Sequence, residues 1–128
     1  MKKDVLNILV GGPAGAGIEK SSKALTLALV RAGYYVFANV EHMSQIRGGN
    51  NYSRIRVCDE FVQVHKEDAD IIIALDKATI EEHVGDVNEG GVIIFDGESV
   101  KLSEKFDSKK ARLIDAPLKK MALEIGNF

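Results

Sequence analysis

The sequence predicts an α/β domain of the three-layer, Rossmann-like type with a mainly parallel sheet. Short runs of β-branched residues alternate with segments of helical periodicity, a pattern typical of this class. A glycine-rich turn joins the first apolar run to the first helical segment, as in a βαβ unit. The 128 residues, 45% of them hydrophobic and 28% charged, suit a single globular domain with its own core.

The N-terminal part of the chain has the pattern of a strand, a turn, a helix and a second strand. Val5–Val10 is an apolar run typical of a buried strand, and Gly11–Gly17 forms the turn. Ile18–Ala32 has helical periodicity, and Gly33 is a natural helix stop before the strand Tyr34–Ala38. The apolar face of this helix is expected to comprise Ile18, Ala24, Leu25, Ala28, Leu29 and Ala32. Such crossovers are right-handed, so the two strands should be parallel.

The rest of the chain predicts further strands and two more helices. Asn39–Asn51 has no clear period and is expected to be a loop, and Tyr52–Val57 alternates like a strand that is exposed on one face. The later elements, in chain order, are a buried strand, a helix, two short strands and a final helix: Asp70–Leu75, Ala78–Val87, Val92–Phe95, Arg112–Asp115 and the segment between Pro117 and Gly126.

Composition argues against several classes of protein. Lys and Arg number 17 against 19 Asp and Glu, so the chain lacks the basic excess of a nucleic-acid binder. No run approaches the roughly 20 apolar residues of a membrane span. The single cysteine, Cys58, excludes an internal disulfide and an iron–sulfur cluster held by this chain alone. It is expected to be a core or strand-end residue of a cytoplasmic protein, and the histidine spacing predicts no bound metal.

The glycine-rich turn is a candidate phosphate site. Glycines let the backbone approach a ligand, and the free N–H groups of a following helix attract anions. The spacing Gly12-x-x-Gly15-x-Gly17 differs from the dinucleotide fingerprint G-x-G-x-x-G, and no Gly-Lys-Ser/Thr follows, which excludes a P-loop. The alternative is a tight strand-to-helix turn that binds nothing. Glu41 lies where a dinucleotide-binding fold keeps its ribose-binding acid.

A second candidate cluster is MSQIRGGNNYSRIRV, residues Met43–Val57. Its arginines, Arg47, Arg54 and Arg56, are expected either to form a positive patch for phosphate or carboxylate, or to line a solvated strand face. The aromatic stripe within Tyr34–Phe37 is typical of core and partner packing.

No complete active site is recognisable in the sequence. There is no nucleophile elbow and no H-E-x-x-H motif. Asp96-Gly97 matches only part of the Gly-Asp-Gly motif of thiamine diphosphate sites, because Phe95 replaces the first glycine and no Asn-Asn follows at suitable spacing. We therefore predict no catalytic residue in this chain, which is expected to be inactive in isolation.

Several segments taken together, in order along the chain, resemble the gamma domain of 2-oxoacid:ferredoxin oxidoreductases. They are GGPAGAGI at Gly11–Ile18, RAGYYVFA at Arg31–Ala38 and MSQIRGGNNYSRIRV at Met43–Val57. The Met-Ser-x-Ile-Arg-Gly-Gly form is similar to the version fused to the N-terminus of the alpha subunit, typical of the 2-oxoglutarate or broad 2-oxoacid group. DIIIALD at Asp70–Asp76 and GGVIIFD at Gly90–Asp96 fall where that family keeps its next two strands.

The resemblance implies a function at the level of a complex. Enzymes of this family, which act on pyruvate or 2-oxoglutarate among other 2-oxoacids, convert the acid to acyl-CoA and reduce ferredoxin. Thiamine diphosphate and iron–sulfur clusters would lie on partner domains or subunits, the alpha and beta parts. This domain would assist coenzyme A binding and subunit docking, and would meet ferredoxin only indirectly. The binding residues implied are Gly12, Gly15 and Gly17 in the turn, and Ser44, Arg47, Gly48, Gly49 and Asn50 in the arginine–glycine segment.

The resemblance also implies that 1–128 is a single gamma-type domain that is incomplete at its C-terminus, because the family continues with further helical sequence. Two alternatives stay open at this point. One is a stand-alone NAD-type dinucleotide-binding domain that uses Glu41. The other is a purely structural subunit, which predicts exposed apolar surface around Tyr34 and Tyr35 that needs a partner.

Overall fold

Six β-strands and three α-helices make up the described part of the chain, residues 5–13, 15–42, 50–58, 68–103, 106–108 and 111–125 of a computed structural model. The strands are β1 (Val5–Pro13), β2 (Tyr35–His42), β3 (Asn50–Cys58), β4 (Ala69–Ala74), β5 (Val87–Phe95) and β6 (Arg112–Asp115). The helices are α1 (Ile18–Arg31), α2 (Lys77–His83) and α3 (Leu118–Ile125), and a 3-10 turn over Val84–Asp86 follows α2. No helix of this described part is long and apolar enough to cross a membrane.

The strands form one mixed sheet in the order β2-β3-β1-β4-β5-β6. β1, β4, β5 and β6 are parallel neighbours, whereas β3 runs antiparallel to both β1 and β2. β2 therefore points the same way as β1, as the crossover rule predicts, but β3 lies between them. The predicted α/β class with a mainly parallel sheet is confirmed.

Two apolar clusters, one on each face of the sheet, form the core and confirm the three layers. Along β1, Ile8 and Val10 face α1, whereas Leu9 faces α2, because alternate side chains of a strand point to opposite faces. Ile18 anchors α1 in the first cluster, and Ile80 anchors α2 in the second. The α1 cluster also includes Ile55, Val57, Leu25 and Leu29, and the α2 cluster also includes Ile72, Ile93 and Phe95.

The expected apolar face of α1 was wrong in one respect. Ile18 is buried and Leu25 and Leu29 are half-buried as expected, but all three alanines of the expected face are exposed: Ala24, Ala28 and Ala32. Their place on the sheet side is taken by a serine. Ser22 is buried, and its hydroxyl hydrogen-bonds the Ser53 hydroxyl of β3 at 2.5 Å. The helix therefore packs through a narrower face than its alanines indicate.

Strand β3 differs most from its prediction. An alternating strand was expected to keep one face in solvent, but Tyr52 and Arg54 are only half-exposed and Arg56 is 7% exposed. This face is less exposed than expected because β3 is paired with a strand on each side and α2 crosses the face that carries Tyr52. Cys58 is buried and is the last residue of β3, as expected of a core or strand-end residue.

Several boundaries differ from the sequence prediction because pairing extends the strands. β1 continues through Gly11 and Gly12 to Pro13, opposite Tyr52, Asn51 and Asn50 of β3. The predicted loop Asn39–Asn51 is wrong at both ends, since β2 runs to His42 and β3 begins at Asn50. The predicted helix Ala78–Val87 is shorter, and its last turn is the 3-10 turn. β6 matches its prediction.

Candidate functional site

The candidate site lies at the carboxyl ends of β1 and β4, where the chain connections leave the sheet in opposite directions. From β1 the chain passes through α1 on one face towards β2, and from β4 it passes through α2 on the other face towards β5. The two strands diverge just past a hydrogen bond from the Leu75 N–H to the Gly11 carbonyl, 2.8 Å long. Such a switch point leaves a crevice in which open α/β sheets bind their ligands.

The turn from β1 into α1 is built on two glycines with left-handed backbone. The Ala16 N–H donates to the Pro13 carbonyl at 3.1 Å and closes a β-turn. Gly15, the third residue of that turn, has φ of 89°, in the left-handed region that favours glycine. Gly17, the N-cap of α1, has φ of 78°. A side chain at either residue would be strained, so both glycines have a local conformational cause.

The four glycines of the segment divide into two groups. A Cβ on Gly11 would lie 2.5 Å from Cγ2 of Thr79, and one on Gly12 would lie 3.0 Å from Cβ of Leu75. These two glycines let β1 pack closely within the domain. A Cβ on Gly15 or Gly17 would meet no described atom within 4 Å. The described residues therefore leave these two glycines uncovered, whereas Gly12 is buried and has a packing role.

The two helices that begin at this edge of the sheet differ at their N-termini. Asp76 caps α2, because its carboxylate accepts the Thr79 N–H at 2.9 Å and the Thr79 hydroxyl at 2.6 Å. Gly17 has no side chain, and α1 has no side-chain cap within the described residues. The first-turn N–H groups and the positive dipole end of a helix suit a phosphate. In α2 the Asp76 carboxylate already accepts one of these N–H groups, whereas in α1 no described side chain does.

The last residue of the arginine–glycine segment, Asn50, lies beside this turn. Asn50 stands opposite Pro13 in the register of β3 with β1, and His42, the last residue of β2, stands opposite Asn51. The structure thus brings together Gly12 and Asn50, two of the predicted site residues. Four others, Ser44, Arg47, Gly48 and Gly49, lie outside the described residues.

The expected positive patch does not include all three arginines. Arg54 is directed to the α2 side, where its guanidinium lies 3.7 Å from the Asp86 carboxylate and 5.5 Å from the centre of the Tyr52 ring. Arg56 is buried further along β3, opposite Asn7 of β1. The alternative, a solvated strand face, is wrong for these two arginines, because Arg54 is half-buried and Arg56 is buried.

Glu41 does not occupy the position expected of a ribose-binding acid. It belongs to β2, opposite Tyr52 of β3. Since β3 separates β2 from β1, the Glu41 backbone lies two strand spacings, about 10 Å, from β1. In a dinucleotide-binding sheet the second strand would adjoin the first. The fold therefore does not favour the stand-alone NAD-type alternative.

Sequence reasoning missed the role of the aspartates that end the parallel strands. Asp96, directly after β5, accepts the backbone N–H groups of Lys119 and Glu98, each at 3.0 Å. These hydrogen bonds, that of Lys119 first, hold the pKa of the Asp96 carboxyl below its usual range. Asp115, the last residue of β6, accepts the Gly97 N–H at 2.7 Å. An aspartate at the end of each of three apolar runs was the available signal.

These carboxylates therefore accept hydrogen bonds from backbone N–H groups of the chain itself. Both Asp96 oxygens bind N–H groups, which explains Asp96-Gly97 without a thiamine diphosphate site. Within the described residues, no three His, Cys, Asp or Glu side chains are grouped so that they could hold a metal ion.

Comparison with known sequences identifies relatives among large oxidoreductase subunits. The alpha subunit of 2-oxoacid:ferredoxin oxidoreductase 1 from Aeropyrum pernix is 37% identical over 97 residues, which cover 75% of this chain and 15% of that subunit. The alpha subunit of the Sulfolobus sp. 2-oxoacid:ferredoxin oxidoreductase is 32% identical over 84 residues, 66% of this chain and 13% of that subunit. The chain thus spans about one seventh of these relatives' length.

Solved structures share the fold. The 2-oxoglutarate:ferredoxin oxidoreductase from Magnetococcus marinus, with 2-oxoglutarate, coenzyme A and succinyl-CoA bound, matches 97% of this chain and 22% of its own, with a TM-score of 0.82 and 22% identity. The gamma subunit of the keto/oxoacid ferredoxin oxidoreductase from Geobacter sulfurreducens matches 91% of this chain and 64% of its own, with a TM-score of 0.72 and 19% identity. The family described as pyruvate ferredoxin/flavodoxin oxidoreductase matches residues 7–128, and the chain belongs to that family.

Proposed function

We propose that this chain is a gamma-type domain of a 2-oxoacid:ferredoxin oxidoreductase and that it helps to bind coenzyme A. The enzyme as a whole would convert a 2-oxoacid of the 2-oxoglutarate or pyruvate class to acyl-CoA and pass electrons to ferredoxin. The observation that carries this proposal is the family match over residues 7–128. The fold shared over 97% of this chain with an oxidoreductase that has coenzyme A bound supports it.

The part proposed for this chain is to hold a phosphate group of coenzyme A at the start of α1. The N–H groups that follow Gly17 are not capped by a described side chain, and no described residue fills the space where a Cβ of Gly15 or Gly17 would lie. A diphosphate there would take the hydrogen bonds that the helix leaves unmade and would benefit from the helix dipole. Gly12 contributes indirectly, because its close packing lets β1 and α1 approach each other.

The second part of the proposed site is the arginine–glycine segment, Ser44, Arg47, Gly48, Gly49 and Asn50. Asn50 enters the sheet opposite Pro13, two residues before Gly15, so this segment joins the sheet beside the glycine turn. An arginine suits bidentate contact with a phosphate oxygen pair, a contact that the glycine turn cannot supply. We propose that Arg47 makes this contact.

The remaining cofactors are proposed to lie on other parts of the enzyme. Thiamine diphosphate would supply the electron sink for cleavage of the 2-oxoacid, and iron–sulfur clusters would carry the electrons to ferredoxin. This chain has one cysteine, which is buried, and its Asp96-Gly97 pair is occupied with backbone contacts. The alpha and beta parts are thus its proposed partners, and residues 1–128 form one gamma-type domain.

The test combines calorimetric titration with reconstitution. Coenzyme A, dephospho-coenzyme A and NAD⁺ are titrated into the chain and into its assembly with alpha and beta parts purified from the same source. We expect coenzyme A to bind, more tightly in the assembly, and NAD⁺ not to bind. Acyl-CoA formation with ferredoxin reduction should have a KM for coenzyme A at least tenfold higher without this chain.

Two outcomes would contradict the proposal and indicate the alternatives. Binding of NAD⁺ by a chain that does not associate with the alpha and beta parts would indicate a stand-alone nucleotide binder. An assembly whose KM for coenzyme A is the same with and without the chain, with no ligand bound at millimolar concentration, would indicate a purely structural subunit.

A further inference from the structure

The first turn of α2 packs directly against the backbone of Gly11, near the end of β1. A Cβ on Gly11 would lie 2.5 Å from Cγ2, 2.8 Å from Oγ1 and 3.2 Å from Cβ of Thr79, so the three nearest atoms all belong to one side chain. Thr79 is 2% exposed. Its side chain therefore fills the space that a side chain at residue 11 would need.

Two neighbours of Thr79 in the chain hold this contact in place. The Asp76 carboxylate accepts the Thr79 N–H and the Thr79 hydroxyl, which fixes the rotamer of that side chain. The Leu75 N–H donates to the Gly11 carbonyl at 2.8 Å. The segment from Leu75 to Thr79 thus holds Gly11 both by its carbonyl and at its Cα.

The next residue of β1, Gly12, packs against the other helix. A Cβ on Gly12 would lie 3.1 Å from Cδ1 of Ile18, the first residue of α1. Successive residues of a strand point to opposite faces of the sheet, so Gly11 contacts α2 and Gly12 contacts α1. The end of β1 is therefore held between the first turns of the two helices.

The glycine turn leaves the sheet directly after these contacts. A shift of Gly11 would displace the N–H groups at the start of α1 that are proposed to bind a phosphate. Hydrogen bonds weaken steeply with poor distance or angle, and binding groups must be held to within about 0.5 Å of their productive geometry. The packing of Thr79 on Gly11 therefore bears on the affinity of the proposed site.

We infer that Thr79 is a positioning residue of the proposed coenzyme A site. Because it is buried, it acts without contacting the ligand, through the Gly11 backbone that its methyl group holds in place. This inference rests on the proposed function, since it concerns the same site. The alternative is that Thr79 only stabilises α2 through its hydrogen bonds with Asp76.

The test titrates coenzyme A by calorimetry into the full chain and into its assembly with the alpha and beta parts. Thr79→Ser removes the methyl group nearest to Gly11 and keeps the hydroxyl that donates to Asp76. Thr79→Val keeps both branches of the side chain and removes that hydroxyl. Ile80→Val is the matched control, because it removes one carbon from a fully buried residue of the same helix.

We expect all three variants to have lower melting temperatures than the wild type, because each loses a buried contact. Thr79→Ser should weaken coenzyme A binding at least threefold, whereas Thr79→Val and Ile80→Val should change the dissociation constant less than twofold. In the assembly, Thr79→Ser should raise the KM for coenzyme A and leave kcat unchanged, because the chemistry is proposed to lie on other parts of the enzyme.

Three outcomes would contradict this expectation. Wild-type affinity of the Thr79→Ser variant would overturn the inference while the proposed function stands. A loss of affinity that follows the melting temperature across the three variants would also overturn it, because a general loss of stability would then explain the effect. A wild-type chain and assembly that do not bind coenzyme A would count against the proposed function itself, and the inference would fall with it.

Discussion

Pro13, the last residue of β1, stands directly opposite Asn50, the first residue of β3. This pairing joins two segments that are far apart in the sequence, the glycine turn and the arginine–glycine segment. It arises because β3 runs antiparallel between β1 and β2, so its first residues meet the last residues of β1. Asn50 and the glycine turn, two parts of the proposed coenzyme A site, therefore lie at the same end of the sheet.

The glycines of the turn can be tested with a control from the other end of the same helix. Gly17 and Gly33 both have positive φ, and a Cβ on either would meet no atom of the described residues within 4 Å. Alanine at a left-handed position costs about 1 to 2 kcal/mol, so Gly17→Ala and Gly33→Ala should reduce the free energy of unfolding by similar amounts. Only Gly17→Ala should weaken coenzyme A binding, by about tenfold, because its methyl group enters the proposed phosphate space.

The measurements are urea denaturation and calorimetric titration of coenzyme A into both variants. An equal loss of affinity in the two variants would show that backbone strain, and not occupation of the site, is responsible. Unchanged affinity of Gly17→Ala would remove the start of α1 from the proposed binding site.

The serine pair between α1 and β3 predicts a measurable coupling. Ser22 and Ser53 are 2% and 0% exposed, and their hydroxyls are 2.5 Å apart. Ser22→Ala should reduce the free energy of unfolding by about 1 to 3 kcal/mol, since the Ser53 hydroxyl would be buried without this partner. The double variant with Ser53→Ala should lose less than the sum of the two single losses. Urea denaturation of all four proteins measures this, and strictly additive losses would contradict a direct hydrogen bond.

The lowered pKa of Asp96 predicts that stability depends on pH at the acid end. Two backbone N–H groups stabilise its charged form in the folded protein, so the carboxylate contributes fully above its ordinary pKa of 3.8. That contribution is lost as the pH falls through the lower pKa of the folded state. Asp96→Asn should therefore lower the melting temperature at neutral pH, and the difference from the wild type should shrink below about pH 4.

Thermal unfolding of both proteins from pH 7 down to pH 2.5 provides the check. Glu98→Gln is a suitable control, because this neighbouring side chain is exposed. Its difference from the wild type should stay small across the range. A difference for Asp96→Asn that grows on acidification would contradict a stabilising role of the charged Asp96 carboxylate.

Several features of this protein follow from the sequence by itself. Elements that depend on local periodicity and turn chemistry, such as α1, β4 and β6, lie where the pattern predicts them to within a residue or two. The left-handed backbone at Gly15 and Gly17 likewise requires glycine for reasons confined to those residues. The family resemblance also needed only the linear order of motifs.

Other features depended on which strands became neighbours. Nothing in the local pattern of β3 states that it lies between β1 and β2, yet this position buries Arg56, places Glu41 two strands from β1 and brings Asn50 to Pro13. The same tertiary packing decided that Ser22 faces the sheet while Leu27 stays exposed. Sequence periodicity indicates that a residue suits a buried face. Long-range strand pairing decides which of these faces the fold covers and which stay exposed.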